Sequence, residues 1–134
     1  MELIINTTED SHFSLFLLEK AKITAALTVD DNGRLSENLL KKIKEFLSAN
    51  HTKLGELAKI GVVSGPGNFS RIRTGIATAN ALAFGLKIAA VGIKSTNPSD
   101  LQKVYTSTER LAAPSYGRKP NITKAKPKKF KLKP

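Results

Sequence analysis

Three sets of residues in this chain could do chemistry, and the most informative is the turn Ser64-Gly65-Pro66-Gly67-Asn68. An apolar run ending in Val62-Val63 enters it, and a helix of small residues leaves it. A turn that opens a helix can hold a phosphate with free backbone amides and the positive end of the helix dipole. Gly65, Gly67 and Asn68 are therefore the candidate contacts for a phosphate-bearing cofactor. Two features weaken that reading. Pro66 supplies no amide, and no Lys-Ser/Thr pair follows as in a nucleotide-binding P-loop. The plain alternative is a strand-to-helix connection, stiffened by Pro66.

The second set is His12 and His51, which stand far apart and at no metal-ligand spacing such as H-x-x-x-H. The third is Asp30-Asp31, an acidic pair that, beside Asn32-Gly33, reads more simply as a turn. The chain has no cysteine, so it offers neither a thiolate metal site nor a disulfide framework. Nothing here assembles a catalytic centre. The expectation is a non-catalytic protein with no metal or cofactor of its own.

The elements that must position these residues follow from pattern. Residues 2–7, 12–18 and 22–29 read as strands, the second and third joined as a hairpin through Glu19-Lys20-Ala21. Asp30-Asp31-Asn32-Gly33 stops the third. Residues 35–49 form an amphipathic helix, with Ser36 as N-cap and Asn50 as C-terminal stop. Residues 58–64 are a buried-type strand, 69–85 a second helix and 88–93 a fifth strand. The order β-β-β-α-β-α-β predicts an α/β fold, a mixed five-stranded sheet with helices packed on it. It is the order of the ribonuclease H-like core of the actin, hexokinase and sugar-kinase superfamily.

At 134 residues the chain holds one domain with a real core. The domain is expected at 1–97, followed by a short segment at 98–117 and a basic tail at 118–134. The net charge of +11 belongs mostly to that tail, which has eight Lys or Arg and no acid. Arg118, Lys119, Lys124, Lys126, Lys128, Lys129, Lys131 and Lys133 could neutralise phosphates of RNA, and the alternative is a solvated end with no ligand. No apolar run is long enough to span a membrane, and no signal-peptide pattern opens the chain. A soluble cytoplasmic protein is expected.

The second helix says more. Ile72, Gly75, Ile76, Ala79, Leu82 and Ala83 make one face for the sheet, yet Thr74, Ala77, Thr78, Ala81 and Phe84 leave the opposite face without a charged character. A helix without a strongly polar side is usually buried on both. The second cover is either the helix at 35–49 or another protein. A partner contact is the favoured reading, carried by Leu39, Ile43, Phe46, Ala77, Ala81 and Phe84, with Arg73 and Asn68 at the rim.

The segment GPGNFSRIRTGIATANALAFG resembles a motif of the bacterial TsaB (YeaZ) family of tRNA threonylcarbamoyladenosine biosynthesis proteins, which reads close to GPGSFTGLRIGVATAKGLA. Ile4-Ile5-Asn6-Thr7-Thr8 is similar to that family's IDTST start, with Asn6 for the usual Asp, and Leu35-Ser36-Glu37-Asn38-Leu39-Leu40 to its HSExLL, with Leu35 for His. Residues 85–95 are similar to its GIPVVGVSS strand, and 111–118 to its P-x-Y-x-R ending. Arg71 replaces a Gly of the motif. The family has a second lobe of roughly a hundred residues; here about twenty residues separate Asn97 from the tail, as though the lobe were deleted and the chain end kept.

The resemblance implies a non-catalytic subunit of the complex that modifies the adenosine next to the anticodon. It would pair with a TsaD-like catalytic subunit, joined by a TsaE-like ATPase, with ATP or ADP and metal on those partners. In that family the two helices matching 35–49 and 69–85 form the surface for the heterodimer or for a homodimer. Asn6, where the superfamily carries a carboxylate, argues against metal-assisted phosphoryl chemistry. Two rivals stand: an RNA-binding module acting through the tail, and a degenerate sugar-kinase-like or peptidase-like enzyme.

Overall fold

The computed structural model describes residues 1–107 and Ala112. Its elements run β1 (Glu2–Asn6), β2 (His12–Glu19), β3 (Lys22–Asp30), α1 (Leu35–Ala49), β4 (Lys59–Val63), α2 (Phe69–Leu86), β5 (Ala89–Ile93) and α3 (Pro98–Thr106), with a 3-10 turn at Leu54–Glu56. They form one five-stranded sheet in the order β3-β2-β1-β4-β5. Strands β1, β2 and β3 are antiparallel, and β4 and β5 run parallel to β1. The expected mixed sheet and its order are present, with α3 added at the end.

Alternation fixes which side of each strand meets which helix. Phe13, Leu15 and Leu17 of β2, with Leu3, Ile5, Ile60 and Val62, face α1 and α2 in the larger core cluster. Ile4, Leu18, Val91 and Ile93 face the other way, onto Leu101 and Val104 of α3. The interior strand β4 is buried on both faces, which explains its unbroken apolar run. Gly61 lets α3 come close: a Cβ there would stand 2.8 Å from a methyl of Val104 and 2.6 Å from one of Ile4.

Three expectations are corrected. Ser36 is not an N-cap; Arg34 holds that position without a side-chain cap, and Ser36 lies in the first turn. Residues 98–106 are not a remnant outside the domain, because α3 covers the second face of the sheet and buries Leu101 and Val104. Most consequential, Leu39, Ile43 and Phe46 are 1%, 0% and 5% exposed. They are the apolar stripe of α1 and fill the core, so they offer no surface to a partner.

Candidate functional site

The Gly-Pro-Gly turn is fastened at every step. Ser64 donates to the Ile93 carbonyl through its amide, at 2.8 Å, and its hydroxyl, at 3.2 Å. The Asn68 amide donates to the Thr8 carbonyl at 2.9 Å. The Asn68 side chain is the N-cap of α2: its Oδ1 accepts from the Arg71 amide at 3.1 Å, while its Nδ2 donates to Asp10 at 2.9 Å. Asn6 does turn work as well, accepting from the Thr8 amide at 3.1 Å and the Thr8 hydroxyl at 2.8 Å. These contacts are those of a connector that aims α2 across the sheet, with the Asn68 amide and side chain already engaged.

One feature escaped the sequence reading. Arg71 is 6% exposed. Its guanidinium grips Asp31 with two bonds, Nη1 to Oδ1 at 3.0 Å and Nη2 to Oδ2 at 2.7 Å, and Nη2 also donates to the His12 carbonyl at 3.0 Å. Asp31 serves the expected turn too, since its Oδ1 accepts from the Gly33 amide at 2.9 Å. Burial alone would raise the Asp31 carboxyl; the hydrogen bonds and charge of Arg71, with the Gly33 and Arg34 amides, outweigh it and hold the group below the usual carboxylate range. The pair welds the first turn of α2 to the β3–α1 loop. The available signal was Arg71 standing where the resembled motif has Gly, next to the inward-facing Ile72.

Helix α2 then lies on the sheet by Ile72, Gly75, Ile76, Ala79 and Ala83, all buried. Gly75 is required there, since a Cβ would collide with the Thr7 hydroxyl. The outer side is exposed along Phe69, Arg73, Ala77, Ala81 and Phe84. Phe84 is 83% exposed and Phe69 53%, with the Arg73 guanidinium 5.3 Å from the Phe69 ring. Spacings of four and three put all five on one stripe. The structure thus brings together Arg73, Ala77, Ala81 and Phe84 of the expected contact set, adds Phe69, and leaves out the three α1 residues. On α1 the exposed apolar side chain is Leu40, at 43%. At the edge of the stripe, the Asn80 side chain exchanges two hydrogen bonds with the Ala112 backbone, at 3.0 and 3.2 Å.

Between the first turns of α1 and α2 lies a cleft of about 380 Å³, lined among others by Asp10, Arg34, Glu37, Asn68 and Thr74. Its carboxylates, Asp10 and Glu37, are matched by Arg34 and Arg71, and the Arg71 guanidinium is already committed to Asp31. His12 and His51 remain on separate elements, at the start of β2 and just after α1. Among the described residues no three His, Asp or Glu side chains gather as a metal centre requires. The basic residues Arg118, Lys119, Lys124, Lys126, Lys128, Lys129, Lys131 and Lys133 lie outside the described residues.

Known proteins share this fold and this segment. The family model described as TsaD, tRNA N6-adenosine threonylcarbamoyltransferase, matches residues 32–130. The tRNA threonylcarbamoyladenosine biosynthesis protein TsaB of Buchnera aphidicola subsp. Baizongia pistaciae (strain Bp) is 40% identical over 58 residues, 43% of this chain and 26% of the relative. TsaB of subsp. Acyrthosiphon pisum (strain APS) is 36% identical over 58 residues with the same coverage. YeaZ from Pseudomonas aeruginosa superposes with a TM-score of 0.62 at 22% identity, over 69% of this chain and 42% of that one. A second structure, of an uncharacterized protein with similarity to peptidase YEAZ from Pseudomonas aeruginosa, gives 0.59 at 26% identity, again over 69% and 42%. The fold is therefore the ribonuclease H-like one expected from the element order. The matches span about a quarter of the curated relatives' length (26%).

Proposed function

The chain belongs to the family of the TsaD model and is TsaB/YeaZ-like, and from that premise we propose that it is a non-catalytic subunit in tRNA threonylcarbamoyladenosine biosynthesis. It docks through the outer stripe of α2 on a TsaD-like catalytic subunit, which carries the nucleotide and metal; a TsaE-like ATPase completes the assembly. The observation behind this reading is the stripe from Phe69 to Phe84, apolar or small except for Arg73. Covering Phe84 alone would contribute about 2 kcal/mol, and the small Ala77 and Ala81 allow a partner helix to approach closely. The turn and the Asp31–Arg71 pair serve by fixing the angle at which the stripe is presented.

The test is reconstitution of adenosine modification from purified TsaD-like, TsaE-like and threonylcarbamoyl-adenylate-forming components, with and without this chain. Modification that depends on the chain, together with a stable complex on size exclusion, supports the proposal. Equal modification without it, or turnover of ATP by the pure chain, overturns it. The same stripe would serve a homodimer, and sedimentation of the chain alone and with a TsaD-like partner shows which pairing wins.

A further inference from the structure

Charge in the described body is sorted along the strand direction. At one end of the sheet the three parallel strands begin, at Glu2, Lys59 and Ala89, and the β2–β3 hairpin turns between Glu19 and Lys22. The chain leaving α1 arrives at the same end, because the Thr52 hydroxyl contacts the Met1 sulfur at 3.6 Å. Exposed there are Lys20, Lys22, Lys44, His51, Lys53 and Lys87, and none of these side chains is in an ion pair among the described residues. Of the acids at this end, Glu2 is buried, while Glu19 and Glu56 are exposed opposing charges, the Glu56 carboxylate accepting from the Lys53 amide at 2.6 Å. The opposite end collects exposed Glu9, Asp10, Asp30 and Glu37, set against Arg34 and Lys94, with Asp31 buried on Arg71.

A groove of about 470 Å³ opens on the basic end, lined by Lys44, Leu47, Ser48, His51, Lys53 and Leu54 together with Thr52. It contains three basic side chains and no carboxylate, whereas two other clefts set Asp10 and Glu37 against Arg34 and Arg71, or Asp30 and Glu45 against Lys42. These cations are not recruited by the end of α1. The carbonyls of Phe46, Leu47 and Ser48 already accept from Asn50, Thr52 and His51. The ammonium groups of Lys44 and Lys53 beside a groove without carboxylates form a receptor for closely spaced anions.

We infer that this end of the sheet, with the Lys44–His51–Lys53 groove at its centre, binds the phosphate backbone of RNA. The site lies on the folded body, away from the Gly-Pro-Gly turn. Five strands set side by side span about 20 Å, a width over which one RNA strand presents several phosphates. The choice of RNA over an acidic protein rests on the functional reading above.

The experiment uses the full chain and an unmodified tRNA transcript, with affinity measured by fluorescence anisotropy from low to moderate salt. Lys44→Glu/Lys53→Glu is compared with Arg34→Glu/Lys94→Glu, which removes the same charge from the other end. The groove variant should bind roughly tenfold more weakly and lose about 2 from its log–log salt slope, since each phosphate contact contributes about 1; the control should change less than about twofold. Equal losses in both variants would overturn the inference, as would unchanged binding in the groove variant. A milder Lys44→Gln/Lys53→Gln variant, checked by circular dichroism, guards against misfolding. Each variant is also tested for complex formation with the TsaD-like partner. Lost complex with retained tRNA binding would mean that the groove meets an acidic protein and would overturn the RNA assignment. Absence of any complex with the wild-type chain would instead defeat the functional reading alone.

Discussion

Helix α1 turns Lys41, Lys44, Glu45 and Ser48 to solvent, whereas α2 turns out Phe69, Arg73, Ala77, Ala81 and Phe84. Both bury an apolar stripe against the same face of the sheet. The difference is that the outer face of α1 is mostly polar and that of α2 is mostly apolar or small. A polar outer face has its solvation from water; a face of alanines ending in a nearly naked phenylalanine gains by being covered. Two neighbouring helices that look alike from inside therefore differ outside, and the proposed docking is assigned to α2. Their inner anchoring differs too: α1 is held by Leu39, Ile43, Phe46 and Leu47, while the first turn of α2 is tied down by the buried Asp31–Arg71 pair.

The largest effect should come from breaking that tie. Arg71→Ala strands a buried carboxylate and is expected to cost about 3–5 kcal/mol, read as a lower midpoint in urea unfolding. A loss below about 1 kcal/mol would mean that the pair sits in water and anchors nothing. The pair also makes α2's anchoring sensitive to acid. The folded Asp31 carboxyl titrates below its unfolded value, so its contribution is complete above about pH 4 and is lost as pH falls through the folded value. Comparing wild type with Asp31→Asn by unfolding at pH 7 and pH 3 should show the gap between them narrowing in acid. A constant gap would refute the linkage.

Next in size is Ala77→Glu, which sets a charge in the middle of the stripe. Affinity for a TsaD-like partner should fall by about a hundredfold, roughly 3 kcal/mol, with the unfolding midpoint of the isolated chain unchanged because Ala77 is exposed. Normal association would remove α2 from the interface. Phe84→Ala should weaken the same complex by about 2 kcal/mol, in the range of an interfacial aromatic anchor, as measured by calorimetry. The smallest effect is expected on the other helix. Leu40→Ser on α1 should change partner affinity by less than about 0.5 kcal/mol, and a loss matching that of Phe84→Ala would erase the distinction between the helices.

Much of the fold was legible because its signals are local. Sheet-suited residues between short connections gave β2, the unbroken run Ile60-Gly61-Val62-Val63 gave a buried strand, and the stripe from Leu39 to Leu47 gave α1 to its observed ends. Helix α3 was missed because two apolar residues, Leu101 and Val104, are too few to show a period. Its start was nonetheless written in Asn97-Pro98-Ser99-Asp100: Asn97 caps the Asp100 amide at 3.0 Å, and Pro98 takes the first position. The contact set was legible only in part. Ala77, Ala81 and Phe84 stood out as an uncharged face, but Leu39, Ile43 and Phe46 were assigned outward although they are the only stripe with which α1 could reach the core.

The sequence by itself determined which segments become strands and helices, and which helix carries apolar residues on two sides, because those properties depend on neighbours a few positions apart. Tertiary structure alone decided that Asp31 and Arg71, 40 residues apart, would meet as a buried pair. It also decided that the lysines of the hairpin, the α1–β4 loop and the end of α2 would share one end of the sheet. Such encounters depend on strand order and crossover direction, which bring distant residues together only once the whole sheet has formed.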